Sequence, residues 1–308
     1  MQMTAVRPTA LPGELAQGCA GRFARLNGCS CWVQACKKLL DHEANPYWDG
    51  PRSQNSKLLA DVVGLPISEL NSRHTLKPLV RGGWPGRSRL ARRPDKPYRA
   101  RHFAYFCEEC AMEDVAFHGM SYWRREHQIF GMYWCLKHAN PLRYVANSAP
   151  FAGPPSEYLS SSQGADAGWL NARTAFPAIN AALELASELC DIGVGVDDEM
   201  IYNKIFLLFL DHKQRRRSSS RLLSDLLLEL FGPSWLIETV PAFANKLPGE
   251  HLPEVDRLNR SQIQSSSGLY IPVLIALTGS LDEALGEIKA LLLRSRRATR
   301  RPEALQVV

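Results

Sequence analysis

The chain is poor in the signatures of a membrane protein or an enzyme. Its 308 residues hold no apolar run of about 18, the length a membrane-spanning helix needs. They contain no HExxH pair and no Gly-rich loop closed by Lys-Ser/Thr, and no paired carboxylates with histidine accompany the metal-ligating pattern described below. Metal-assisted hydrolysis is therefore disfavoured, the chain is expected not to be an enzyme, and ATP chemistry must belong to a partner. No basic-then-apolar leader opens the sequence, so a cytoplasmic setting with reduced thiols is expected. No repeat period is visible. Acid is nearly missing from one stretch: between Lys77 and Arg101, only Asp95 opposes Arg81, Arg87, Arg89, Arg92, Arg93, Lys96, Arg99 and Arg101.

What is present fits a globular protein of two or three domains, with 45% hydrophobic residues and a net charge of +6. That modest basic balance favours a polyanionic partner without proving one. Three of the eight cysteines fall in one pattern. Cys107-Glu108-Glu109-Cys110 is followed, after 24 residues, by Cys135-Leu136-Lys137-His138. Two residues between thiolates let one turn aim both at a single ion. The second claw adds a third sulfur and an imidazole. A Cys₃His set suits tetrahedral Zn²⁺ in a closed structural site, and thiolates argue against Mg²⁺ or Ca²⁺. His118 and His127 lie between the claws, where packing is their expected role and ligand exchange the alternative.

The string between the claws, Tyr122-Trp123-Arg124-Arg125-Glu126-His127-Gln128, is either the core of a small finger or a polynucleotide surface. With both claws, Gly119, Gly131 and Leu142, it resembles the zinc motif of the TniQ/TnsD family, the target-selection proteins of certain bacterial transposons. The family pattern has CPxC, an acidic stretch, Gly, YWRRxHQ, Gly and CxxH. Here Glu108 stands where the family often has Pro, which loosens the turn and removes no ligand. Leu11-Pro12-Gly13-Glu14-Leu15 resembles the family's opening "PGE-L" ahead of a helix with Arg and aromatics, matched by Arg22, Phe23 and Arg25. His74-Thr75-Leu76-Lys77-Pro78-Leu79 resembles its "HtLxPL". The resemblance implies an adaptor without bond chemistry. It would recognise target DNA or an RNA-guided surveillance complex and recruit an AAA+ ATPase and, through it, the transposase. A zinc-fixed loop would display Trp123, Arg124 and Arg125.

The fold expected is mainly α. Residues 1–100 form a helical, helix-turn-helix-like domain with a basic loop, 101–148 a zinc finger, 149–175 a Pro/Ser/Gly-rich linker and 176–308 a helical domain. Asn27-Gly28 closes a first helix, and Ser30 can cap a second from Cys31 to about Leu40. Cys19, Cys29, Cys31 and Cys36 are spaced poorly for a second metal and read better as core residues. Leu59, Ala60, Val63, Gly64 and Leu70 have helix-turn-helix spacing, with Glu69, Asn71, Ser72, Arg73 and His74 facing outward. A plain helical hairpin uses the same geometry. The Arg87–Arg93 loop suits phosphate contacts, against the alternative of a solvated linker. Helices are expected over Ile179–Leu189, from Asp197 or Asp198 to Leu210, over Ser220–Phe231, from Ser234, over Tyr270–Leu277 and over Leu281–Leu293. The long helical half could carry a homodimer interface. A zinc-containing helix-turn-helix transcriptional regulator remains the alternative function.

Overall fold

The computed structural model describes residues 5–43, 54–79, 101, 103–147, 149–193, 198–215, 221–256 and 269–299. The chain is mainly helical. Its described residues divide between two compact units: one from 1–77, 98–171 and 190–193, the other from 78–97, 172–189 and 194–308. The finger and the N-terminal helices lie in one unit.

In the first unit, α1 (Ala16–Leu26) is rich in Ala and Gly and is buried over most of its surface. Its Cys19, Ala20 and Phe23 pack with Trp32, Leu59 and Leu70 in one core. Asn27 and Gly28 end it as expected. Next, α2 (Trp32–Ala35) runs into a π turn over Cys36–Leu40. Ser30 does not cap it. Instead the Ser30 N–H and hydroxyl donate to Gln34 Oε1 at 2.6 and 3.0 Å. The hairpin of α3 (Asn55–Val63) and α4 (Ile67–His74) turns at Gly64, whose φ of 71° is costly for a side chain. Leu70 packs back as expected. His74 does not face outward: it is buried, and its Nδ1–H donates to Glu14 O at 2.9 Å.

The finger is built on a small antiparallel sheet in the order β1 (Ala104–Phe106), β2 (Arg143–Val145), β3 (Gln163–Gly164). Ala104 pairs with Val145 and Phe106 with Arg143. Between the claws, α5 (Glu108–His118) supplies the structure that the long interval calls for. Much of the expected linker is folded. Pro150–Ala152 and Pro155–Tyr158 are 3₁₀ turns, β3 joins the sheet and α6 spans Gly168–Ala175. The segment has no periodicity of its own, but neighbours satisfy its carbonyls. Trp123 Nε1–H donates to Gly153 O at 2.8 Å, and Arg25 donates to Ala152 O. A Cβ at Gly21 would lie 1.8 Å from Phe151 O, so only glycine lets α1 come this close.

The second unit is a helical assembly. It holds most of α7 (Pro177–Ile192), then α8 (Asp198–Arg215), α9 (Leu223–Phe231), α10 (Pro233–Thr239), a short α11 (Pro253–Asp256), α12 (Tyr270–Thr278) and α13 (Leu281–Thr299). Apolar periodicity produces it: Leu183, Ile205, Leu227, Leu236, Leu274 and Ile288 are all buried. The last helix runs on to Thr299, past its expected end at Leu293. A buried carboxylate serves the backbone, and a lysine pairs with a half-buried one. Asp256 accepts from Ser224 N at 2.9 Å and Ser224 Oγ at 2.7 Å, closing the start of α9, and Lys246 Nζ meets Asp225 at 2.5 Å.

Candidate metal centre

Cys107 ends the strand β1 and caps α5, which carries Cys110 one turn later. Cys135 and His138 sit on a knuckle closed by Ala139, whose φ of 60° lets the Ala139 and Cys135 N–H groups donate to Cys135 O and Asn140 O, both at 2.8 Å. The four donor atoms all lie within 4.8 Å of one another. His138 Nδ1 is 3.4, 3.3 and 3.7 Å from the sulfurs of Cys107, Cys110 and Cys135, and Cys110 Sγ is 3.7 Å from Cys135 Sγ. The cluster fits a Cys₃His site with four protein donors and no place left for substrate. The far nitrogen, His138 Nε2, meets Glu113 Oε1 at 3.0 Å. Glu113 is one turn beyond Cys110 on the same helix and fixes the ring so that Nδ1 faces the sulfurs, an outer partner typical of metal-bound histidine. The three thiols share protons. Hydrogen bonds with Cys107 and then Cys135 push Cys110 up, while those from Cys107 and Cys110 pull Cys135 well down. A bound cation would take over the role of those shared protons.

Among the described residues, Cys19, Cys29, Cys31 and Cys36 form no such group, and Cys19, Cys29 and Cys36 lie in the α1 core. His127 is 2% exposed and packs inside the finger, and it too stands outside the donor set.

The string from Tyr122 to Gln128 is turned inward. Leu15 N–H donates to Trp123 O at 2.7 Å and Arg125 N–H to Gly13 O at 2.8 Å, so residues 13–15 and 123–125 pair as a short antiparallel bridge. Tyr122 Oη donates to Pro12 O at 3.0 Å. Trp123 is 1% exposed against Phe106 and Phe151. Arg124 pairs with the buried Asp114 of α5 at 2.6 Å, a contact that pushes its guanidinium up against the opposing cost of burial. Arg125 is 4% exposed, donating to Ser72 O of α4 at 2.8 Å and to Asp191 at 2.9 Å. The Gln128 amide clamps the Tyr105 backbone, donating to its O at 2.6 Å and accepting from its N–H at 3.1 Å. The expectation that Trp123, Arg124 and Arg125 are displayed to a partner meets a different arrangement: Trp123 and Arg125 are buried, Arg124 is half-buried, and backbone carbonyls and the carboxylates of Asp114 and Asp191 hold them. Arg101, the last cation of the basic run, is also inside. Its guanidinium lies 3.2 Å from the Tyr105 ring centroid and donates to His127 O at 3.1 Å and to Met132 O at 2.5 Å.

The TniQ family model matches residues 5–142. Residues 5–142 are a TniQ domain. A comparison with the curated proteins finds no match, and one with the solved structures finds none. The matched TniQ segment is the part in which the PGE-L segment, the hairpin and the metal cluster are tied together. Glu14, 1% exposed, is central to that tie and went unread in the sequence. Arg22 Nε and Nη2 donate to its two carboxylate oxygens at 3.0 and 2.6 Å. Asp114 was missed likewise, although an acid in the family's acidic stretch facing YWRR was a usable signal. Of the expected contact residues, Arg73 is exposed and pairs with Glu69 at 3.0 Å one helical turn back. Arg87, Arg89, Arg92 and Arg93 lie outside the described residues.

Proposed function

We propose that this TniQ protein is a target-site selection adaptor of a transposon. It engages target DNA or an RNA-guided surveillance complex, recruits an AAA+ ATPase regulator and, through that ATPase, the transposase. The observation that carries the reading is the TniQ domain itself, with a metal centre closed by four protein donors and so built to hold structure. The metal proposed is Zn²⁺. Bonds of about 2.3 Å to sulfur and about 2.05 Å to nitrogen at tetrahedral angles put sulfur–sulfur edges near ~3.8 Å and sulfur–nitrogen edges near ~3.6 Å. The observed 3.7 Å sulfur edge and 3.3–3.7 Å nitrogen edges support that size. Nucleic-acid contact is assigned to Arg73 and to the basic run with Arg87, Arg89, Arg92 and Arg93, where released counterions would supply affinity.

The test is retention of the zinc-loaded chain on three baits at physiological salt: duplex DNA of the target locus, the ATPase of the same element, and a guide-RNA complex. Retention of the ATPase with either DNA or the guided complex is expected. Replacing Arg87, Arg89, Arg92 and Arg93 with Gln should lower nucleic-acid affinity and flatten its salt dependence. Tight sequence-specific duplex binding with no protein partner would favour a zinc-containing helix-turn-helix regulator instead, in keeping with the α3–α4 hairpin.

A further inference from the structure

Alternation along the strands gives the finger's sheet two unlike faces. Ala104, Phe106 and Val145 join the core of the finger. The other face carries a row across all three strands, Tyr105 opposite Tyr144 and Tyr144 opposite Gln163. Aromatic rings continue from this row in both directions. Phe103 stacks on Tyr144 at 5.0 Å between centroids, and Tyr144 meets Tyr105 at 5.6 Å. Tyr105 meets Tyr133 edge-on at 6.2 Å, and Tyr133 stacks on Trp169 of α6 at 4.4 Å. In the middle of this ladder Tyr105 and Tyr133 are buried and hold the Arg101 guanidinium over their rings. The ends are not enclosed: Phe103 is 38% exposed, and Tyr144 and Trp169 are half-buried. A ladder that served packing alone would end under cover, whereas this one reaches solvent at both ends.

The chemistry around the ladder selects its occupant. By sequence, the chain enters β1 through Arg87, Arg89, Arg92, Arg93, Lys96 and Arg99, with Asp95 alone opposing them, which favours a polyanion. Stacking needs an open base face. A duplex hides its base faces within its own stack, and a single strand offers them. Gln163 Oε1 accepts from Tyr144 Oη at 2.5 Å, which leaves the Gln163 amide N–H groups for a base edge. The same bond occupies the row's side-chain carbonyl, so the row makes no demand for a ribose 2′-hydroxyl and suits DNA.

We propose that the ladder from Phe103 to Trp169 is a stacking platform for unpaired bases of single-stranded DNA, with the basic run that precedes it supplying phosphate contact. The proposal rests on the reading of this chain as a target selector that contacts nucleic acid. Its test uses the chain alone, so failure to retain the ATPase would break that reading and leave the platform standing.

Fluorescence anisotropy with labelled oligothymidylate tests it on the zinc-loaded full chain at physiological salt. A strand of about 12 nucleotides lies within the site sizes of stacking grooves. The wild type should bind it, and Phe103→Leu should weaken binding about tenfold, the loss of one base–aromatic stack. The salt slope should stay as in the wild type, because a stack releases no counterion. Duplex affinity and the thermal midpoint should also stay, and Phe103→Trp should keep wild-type affinity for the single strand. Trp169→Leu, at the other end of the ladder, is the second variant if Phe103→Leu fails to fold. A wild-type chain that does not bind oligothymidylate, a single-strand affinity indifferent to both leucine variants, or an equal loss of duplex affinity would overturn the platform. Oligouridylate of the same length bound as tightly as oligothymidylate would overturn the assignment to DNA.

Discussion

Glu14 and Arg22 are buried together in the first unit, whereas Leu227, Leu236 and Leu274 fill the second. The contrast extends through both. The first unit spends charged side chains on its interior: Arg124 on Asp114, Arg125 on the carbonyl of Ser72, Arg101 on carbonyls of the finger. Arg125 and Arg101 join segments far apart in sequence, and in the Arg124–Asp114 and Arg22–Glu14 pairs removal of either member would leave an uncompensated charge. The second unit buries leucine, isoleucine and phenylalanine from sequential helices, and its buried Asp256 closes a backbone end. An apolar helical core tolerates pH change, and the described residues of this unit form no candidate metal group. A charge-tied unit around a metal knuckle should be sensitive to both.

The largest expected break in this comparison short of the metal is Glu14→Ala. It strips the buried Arg22 of its bidentate partner and should cost the first unit about 3–5 kcal/mol, with the second unit's melting unchanged. Separate unfolding transitions followed by near-UV signals from Trp123 and Trp235 would read it. Loss of the same amount from both units would erase the distinction drawn here. A smaller effect comes from pH. Burial, the dominant cause, holds the His74 imidazole below its ordinary value in the folded chain, against its hydrogen bond to Glu14 O, and the cations Arg125 and Arg73 push the same way as burial. The unfolded chain takes up the proton first, near an unfolded pKa of about 6.5, so the His74 contribution is fully present above that pH and is lost as pH falls toward the folded value. The slope should be no more than about 1.4 kcal/mol per pH unit for this one group. It appears as the difference in first-unit stability between the wild type and His74→Gln, and identical pH profiles for the two would contradict it.

Sequence and structure agree most where residue type and spacing alone decide. Each claw needs two donors at a fixed interval, and the interval is visible. Gly64 and Asn27-Gly28 end helices because of their own backbone freedom. Periodicity located α7 to α9, α12 and α13 to within a few residues. Trp123, Arg124 and Arg125 were misread because an aromatic-basic string has the same composition whether it meets phosphate or buttresses a core. What decides is the placement of Gly13, Ser72 and Asp114, and no local pattern shows that Gly13 lies beside Arg125. Strands of two or three residues such as β1 and β3 are too short to show alternation. The stretch from Ala149 reads as a linker until Trp123 and Arg25 are seen to hold it.

The central claim is that the metal cluster and the 122–128 string act together as the keystone of the first unit. Amide hydrogen exchange of the full chain, before and after the metal is stripped with a chelator, tests it most directly. The Leu15 and Arg125 amides, which bridge residues 13–15 to 123–125, should lose protection together with the Ala139 amide of the knuckle, while those of α12 in the second unit stay protected. Persistent protection at Leu15 and Arg125 after metal loss would show that the bridge stands without the centre, and the claim would fail.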